Sequence, residues 1–317
     1  MENLWLWITF GVVIGGMLGL DLVVFHRKAH VVSLREALAW SGVWISLALI
    51  FNGGIYYVWG EEKALEFLTG YLIEKSLSVD NVFVFFMIFS YFAVPAMYQH
   101  RVLFWGILGA LIMRAIFIAL GVTLLNAFHW MIYLFGAFLV LTGIKMLLLG
   151  ERRIEPGRNP VLRLFRRVVA VTPAYQGQRF LVRQGGRLAA TPLVLVLIVV
   201  ETTDLIFALD SIPAILAITR DPFIVYTSNV FAILGLRALY FLLAGIMEVF
   251  RYLKVGLSFI LMFVGIKMMV ADIYKVPIGT SLAIVAGILA ASILGSLLLP
   301  QRPAPEARAG TSAERSH

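Results

Sequence analysis

About nine stretches of roughly 20 apolar residues run through this chain of 317 residues. They lie near 4–25, 38–59, 67–94, 102–124, 129–149, 191–217, 223–247, 253–271 and 278–299. Each is long enough to cross about 30 Å of hydrocarbon as a helix. Hydrophobic residues make up 61% of the chain and charged residues 14%. An ordinary soluble domain holds about 45–50% and about 25%. A soluble core could not hide that much apolar surface. Inside lipid each segment must satisfy its own backbone polar groups. The expected fold class is therefore all-α: a polytopic transmembrane helix bundle forming a single domain over residues 1–300. Residues 301–317 are polar and rich in Pro and Ala, and read as a disordered tail. The first stretch lacks a basic leader and a small-residue cleavage site, so it reads as a retained helix. The absence of cysteine removes disulfides, thiolate metal sites and thiol nucleophiles.

Lysine and arginine set the expected topology. The 150–190 loop carries Arg152, Arg153, Arg158, Arg163, Arg166, Arg167, Arg179, Arg183 and Arg187. The positive-inside rule assigns it to the cytoplasm. Alternation then puts the Arg27/Lys28/Arg35 loop, the Arg101 loop, the Arg251/Lys254 loop and the C-terminus on the same side. The N-terminus falls outside, with Glu2, Glu61, Glu62, Glu66, Asp221 and Asp272. The pI near 9.8 is thus largely topological. Anionic lipid is the expected neighbour of that charge; nucleic acid is not an expected partner.

The chain also repeats itself. EKSLSVDNVFVF around Asp80 aligns with DLIFALDSIPAI around Asp210, which puts Glu74 on Asp204. MRAIF at Arg114 matches LRALY at Arg237, and LTGIKML at Lys145 matches FVGIKMM at Lys267. The units cover 67–149 and 191–271, three spans each. An odd number of spans inverts the second unit. Inverted repeats with a midplane site between them are typical of secondary transporters.

Charge inside a membrane is expensive, which marks the buried ionisable residues as candidates for function. The acids are Asp21, Glu74, Asp80, Glu201, Asp204 and Asp210. The bases are Lys75, Arg114, Lys145, Arg237 and Lys267. Arg114 and Arg237 fall mid-helix and are read as charge-balancing groups for an empty acidic site. Lys145 and Lys267 fall near helix ends, where snorkelling is the favoured account and charge balance the other. Carboxylates with neighbouring Asn81 and Ser211 offer the oxygen ligands that hard divalent cations prefer. Oxygen ligands alone fit Mn²⁺, Ca²⁺ and Mg²⁺ comparably. A spacing of six on a straight helix separates two residues by roughly 9 Å and about 120°. Neither Glu74/Asp80 nor Asp204/Asp210 can then chelate one ion alone. Either the helices break, with Ser76, Ser78 and Pro213 as candidate break points, or the site is shared between the halves. Glu201 shares a face with Asp204, and Asp21 could be a ligand or a partner for Arg27.

The segments EKSLSVDNVFVF and ETTDLIFALDSIPAI, with GLDLVVF near the start and GIKM twice, resemble the TerC family of bacterial membrane proteins over roughly residues 5–299. The family takes its name from tellurium resistance and is grouped with LysE-like exporters. The resemblance implies Mn²⁺ export across the cytoplasmic (inner) membrane, with Glu74, Asp80, Asp204 and Asp210 as the metal set. No prosthetic group is expected; the ion is cargo, and protons are the expected counter-substrate in the absence of a Walker A motif. Two other readings stay open: a membrane scaffold or assembly factor, and a proton-coupled carrier of another small substrate. The chain shows no HExxH, GxSxG or Rossmann fingerprint, so no enzyme is expected.

Overall fold

A computed structural model describes residues 4–26, 34–149, 159–184, 187–244 and 252–298. The side chains of Asp21 and Asp80, and the C-terminal tail with its expected disorder, lie outside the described residues. The chain folds into a membrane helical bundle. Its helices are α1 (Leu4–His26), α2 (Leu34–Trp59), α3 (Glu61–Tyr91), α4 (Ala96–Ala127), α5 (Met131–Leu149), α6 (Pro160–Val168), α7 (Pro192–Leu216), α8 (Pro222–Leu234), α9 (Leu236–Ala244), α10 (Leu253–Met269) and α11 (Ile278–Leu298). Among the described residues, six helical segments are long and apolar enough to cross a membrane, one of them α8 and α9 taken together. At 31 residues α3 has the length, but it carries Glu66, Glu74, Lys75 and Asp80.

Local chemistry explains several boundaries. Pro192 and Pro222 open α7 and α8 at the first helical turn, where a missing N–H costs nothing. The Asp221 carboxylate accepts from the backbone N–H groups of Phe223 (3.0 Å) and Ile224 (3.4 Å), capping α8. The 150–190 region is not a plain loop. It contains α6 and an antiparallel hairpin, β1 (Leu181–Gln184) with β2 (Arg187–Ala190). This hairpin lies outside the all-α expectation.

The expected helix breaks are elsewhere. Both α3 and α7 run without interruption. Ser76 donates back to the Leu72 carbonyl at 2.6 Å and so stays within helical geometry. Pro213 falls in the last turn of α7, close to where the helix ends anyway. The interruption is in the 223–247 stretch, which divides at Gly235 into α8 and α9. Lys75 Nζ donates to the Ala232 carbonyl at 3.3 Å beside that break. There it complements the carbonyl end of α8.

The centre of the bundle is made by α3, α4, α7 and α8. Helix α3 packs on α8, α4 packs on α7, and α3 and α7 meet each other. Among the described residues, the most extensive helix–helix packing joins α5 to α10. Small residues let these two backbones approach closely. A Cβ on Gly143 would meet the Ser258 carbonyl at 2.7 Å; a Cβ on Gly265 would meet the Gly136 carbonyl at 2.6 Å. In the GIKM alignment Gly143 corresponds to Gly265, and Gly136 to Ser258. The two close contacts are therefore equivalent positions with the helices exchanged.

Candidate functional site

The site begins with Arg114, which is 1% exposed in the middle of α4. A buried guanidinium has five N–H donors and no acceptor, so it needs oxygens around it. Helices α3, α7 and α8 supply them. Arg114 Nη1 donates to Glu74 Oε1 in a close ion pair. The same nitrogen reaches Asn229 Oδ1 at 3.0 Å and Ser211 Oγ at 3.2 Å. Arg114 Nη2 donates to Asp204 Oδ1 at 3.3 Å. Asn229 Nδ2 closes the ring by donating to Glu74 Oε2 at 3.3 Å. Glu74 is 0% exposed, Asn229 1% and Asp204 3%.

This cluster brings together Glu74 and Asp204, the two acids that align when Asp80 is set on Asp210 in the sequence. One comes from each unit, and a single arginine bridges them. The ring is not saturated. Asp204 Oδ2 and Arg114 Nε are buried without a hydrogen-bond partner among the described residues. Buried polar atoms are nearly always paired, so an orphan carboxylate oxygen marks a position suited to a cation or a proton.

The other predicted residues lie around this centre. Asp210 is half-buried and accepts from Thr142 Oγ1 of α5 at 3.4 Å. Asn81 is buried on α3, one residue beyond Asp80. Glu201 lies one turn before Asp204, its carboxylate against the surface of α4 left bare by Gly109. Arg237 is buried on α9, just past the Gly235 break. Lys145 is exposed on α5 and Lys267 half-buried on α10. Among the described residues no three His, Cys, Asp or Glu side chains form a ready metal cage. Asn229 was not expected. Its signal is Thr227–Ser228–Asn229, three polar residues in succession inside an apolar run, all buried.

The profile of the integral membrane protein TerC family matches residues 59–304. The chain belongs to the TerC family. Among its relatives, three cover nearly its whole length. An uncharacterized membrane protein of Myxococcus xanthus is 56% identical over 293 residues, 92% of each chain. Alx of Escherichia coli (strain K12), whose name proposes a membrane-bound redox modulator, is 52% identical over 293 residues, 90% of this chain and 91% of its own. Alx of Shigella flexneri is also 52% identical, over 90% of this chain and 92% of its own. No solved structure matches. TerC membership agrees with the multi-pass membrane architecture, and the Arg114 cluster lies within the matched region.

Proposed function

We propose that this TerC-family protein is a secondary transporter exporting a divalent metal ion, Mn²⁺ first among them, from the cytoplasm in exchange for protons. One observation carries the reading: Glu74 and Asp204, equivalent in the repeat and carried on different helices, converge on Arg114 in the bundle centre. A divalent cation is the substrate chemistry that two buried carboxylates with hydroxyl and amide oxygens suit. Arg114 stands in the cluster as a tethered cation. Cargo arriving at Asp204 Oδ2 competes with it for both carboxylates. When cargo leaves, the guanidinium or protons neutralise the acids again and the empty carrier can reset. In this reading Asp80 and Asp210 supply the remaining acids of the metal set, and Arg237 is a further charge-balancing group.

The alternation of access rests on the inverted repeat. The packing of α3 on α8 and of α4 on α7 exchanges under the repeat alignment, and so do the two glycine contacts between α5 and α10. Such an arrangement suits rocking of one unit against the other. The reading assigns the chain no enzymatic step. It also accommodates the name of the Alx relatives. With no cysteine in the sequence, a redox effect would run through metal supply rather than a thiol couple.

The test is reconstitution of the full chain into liposomes and measurement of Mn²⁺ flux with and without a pH gradient. Flux is expected to depend on the gradient, and to be lost in Asp80→Asn, Asp204→Asn and Asp210→Asn variants inserted at normal levels. No flux under any gradient would overturn the transporter reading in favour of a scaffold role. Flux of the three variants equal to wild type would remove the acids from the pathway.

A further inference from the structure

Helix α6 has two faces with different surroundings. Its start is fixed: Asn159 Oδ1 accepts from Val161 N at 2.9 Å and Leu162 N at 3.1 Å, and Pro160 follows the cap. Asn159 Nδ2 also donates to Thr202 Oγ1 of α7 at 2.7 Å. Leu162 is buried, and Phe165 packs against the main apolar core with it. This inner face ties α6 to a membrane-spanning helix.

The outer face is amphipathic in an unusual sense. Val161, Leu164 and Val168 are 47%, 63% and 77% exposed. Their spacings of three and four put them in one stripe. Arg163 and Arg167, four apart, border one side of that stripe, and Arg166 adds a third charge beyond them, away from the stripe. Among the described residues these three arginines form no ion pair. Water would solvate the arginines but not the stripe; hydrocarbon would do the reverse. The boundary between phospholipid headgroups and acyl chains accommodates both.

We infer that α6 is a binding surface for anionic phospholipid, with Val161, Leu164 and Val168 set against acyl chain and Arg163, Arg166 and Arg167 on the headgroup phosphate. Guanidinium suits this role because its planar fork donates two hydrogen bonds to a phosphate. The helix lies against α7, so its ligand is already part of the surrounding bilayer. The inference does not depend on transport. It gives the basic 150–190 region a task beyond setting topology, and it ties lipid charge to the helix that carries Asp204.

The experiment uses the full-length protein in neutral detergent. Binding of phosphatidylglycerol and phosphatidylcholine is followed by native mass spectrometry and by the shift in melting temperature. Wild type is expected to prefer phosphatidylglycerol by on the order of a hundredfold, at about fivefold for each arginine near an anionic headgroup. That preference should collapse in 0.5 M salt, an ionic strength chosen because its Debye length is only about 4 Å. The triple substitution Arg163→Gln, Arg166→Gln, Arg167→Gln should reduce the preference to a few-fold. The triple lysine variant should retain most of it and controls for folding. Leu164→Asn should weaken both lipids alike. Full preference in the glutamine variant would overturn the inference. So would stabilisation by soluble glycerol phosphate equal to that by the lipid, which would make α6 a free-anion site.

Discussion

Replacing Arg114 with glutamine separates a structural ion pair from a tethered competitor for cargo. The side chain is 1% exposed, and its partners Glu74 and Asp204 are 0% and 3% exposed. Removing one member of a buried ionic cluster leaves uncompensated charge, at a cost of about 3–5 kcal/mol. Arg114→Gln should therefore melt well below wild type in metal-free detergent. Divalent cation should then restore part of the loss, because the carboxylates it needs are no longer occupied. A ligand at a hundred times its dissociation constant returns about 2.7 kcal/mol, more than half of that cost. The assay is thermal unfolding of both proteins across a Mn²⁺ titration, with Mg²⁺ in parallel. The variant should show the larger Mn²⁺-induced rise and the lower half-saturating concentration. Adding Glu74→Gln should recover part of the stability while weakening the metal response, a coupling of about 0.5–3 kcal/mol. A variant that melts like wild type, or one that is destabilised without any gain in metal response, would refute the competition argument.

Two further predictions concern other parts of the bundle. Gly265→Ala should cost about 1–3 kcal/mol in a melt, because its Cβ meets a backbone carbonyl at 2.6 Å that no rotamer can relieve. Gly143→Ala should cost a similar amount, whereas Gly106→Ala meets only the Val200 methyl at 3.0 Å and should be milder. At the bundle rim, Asp272 accepts from Tyr133 Oη at 2.7 Å and pairs with His129 Nε2 at 2.8 Å. The Tyr133 hydrogen bond first, then the His129 bond, hold its carboxyl below the ordinary value of 3.8. The pair's contribution is present above that value and lost as pH falls through the lowered one. Asp272→Asn should thus lower the melting temperature slightly at pH 6 and by progressively less as pH falls below 3.8; a loss that does not change with pH would refute it.

The apolar lengths and the repeated acids were legible in the chain because lipid leaves few alternatives to helices and makes buried charge conspicuous. Arithmetic on the spacing of Glu74 and Asp80 left two possibilities, a shared site or broken helices. The structure unites Glu74 with Asp204 across the halves and leaves α3 and α7 intact. The break at Gly235 was not legible, since an isolated glycine in an apolar run is usually tolerated within a helix. Nor was Asn229, for a related reason. Its helix is almost wholly enclosed by neighbours, so polar side chains there meet protein rather than lipid. An apolar span in the middle of a bundle and one at its rim read alike from sequence. The order within 159–184 depends on distant partners: Tyr175 Oη donates to the Phe92 carbonyl at the end of α3, and Arg101 lies over the Phe180 ring.

The guanidinium between two carboxylates has an electrical side. With all three groups ionised, Glu74, Asp204 and Arg114 together carry one negative charge. A bound divalent ion turns that sum to one positive charge. An arginine can therefore fill the vacated acids chemically while leaving the returning carrier visible to the membrane voltage. Each elementary charge moved across 100 mV is worth about 2.3 kcal/mol. On the proposed export cycle, a cell interior at negative potential opposes the outward cationic step, and it would oppose the return as well if the acids came back without protons. A resident arginine makes the empty state habitable, but the work against the field has to come from the counter-ion.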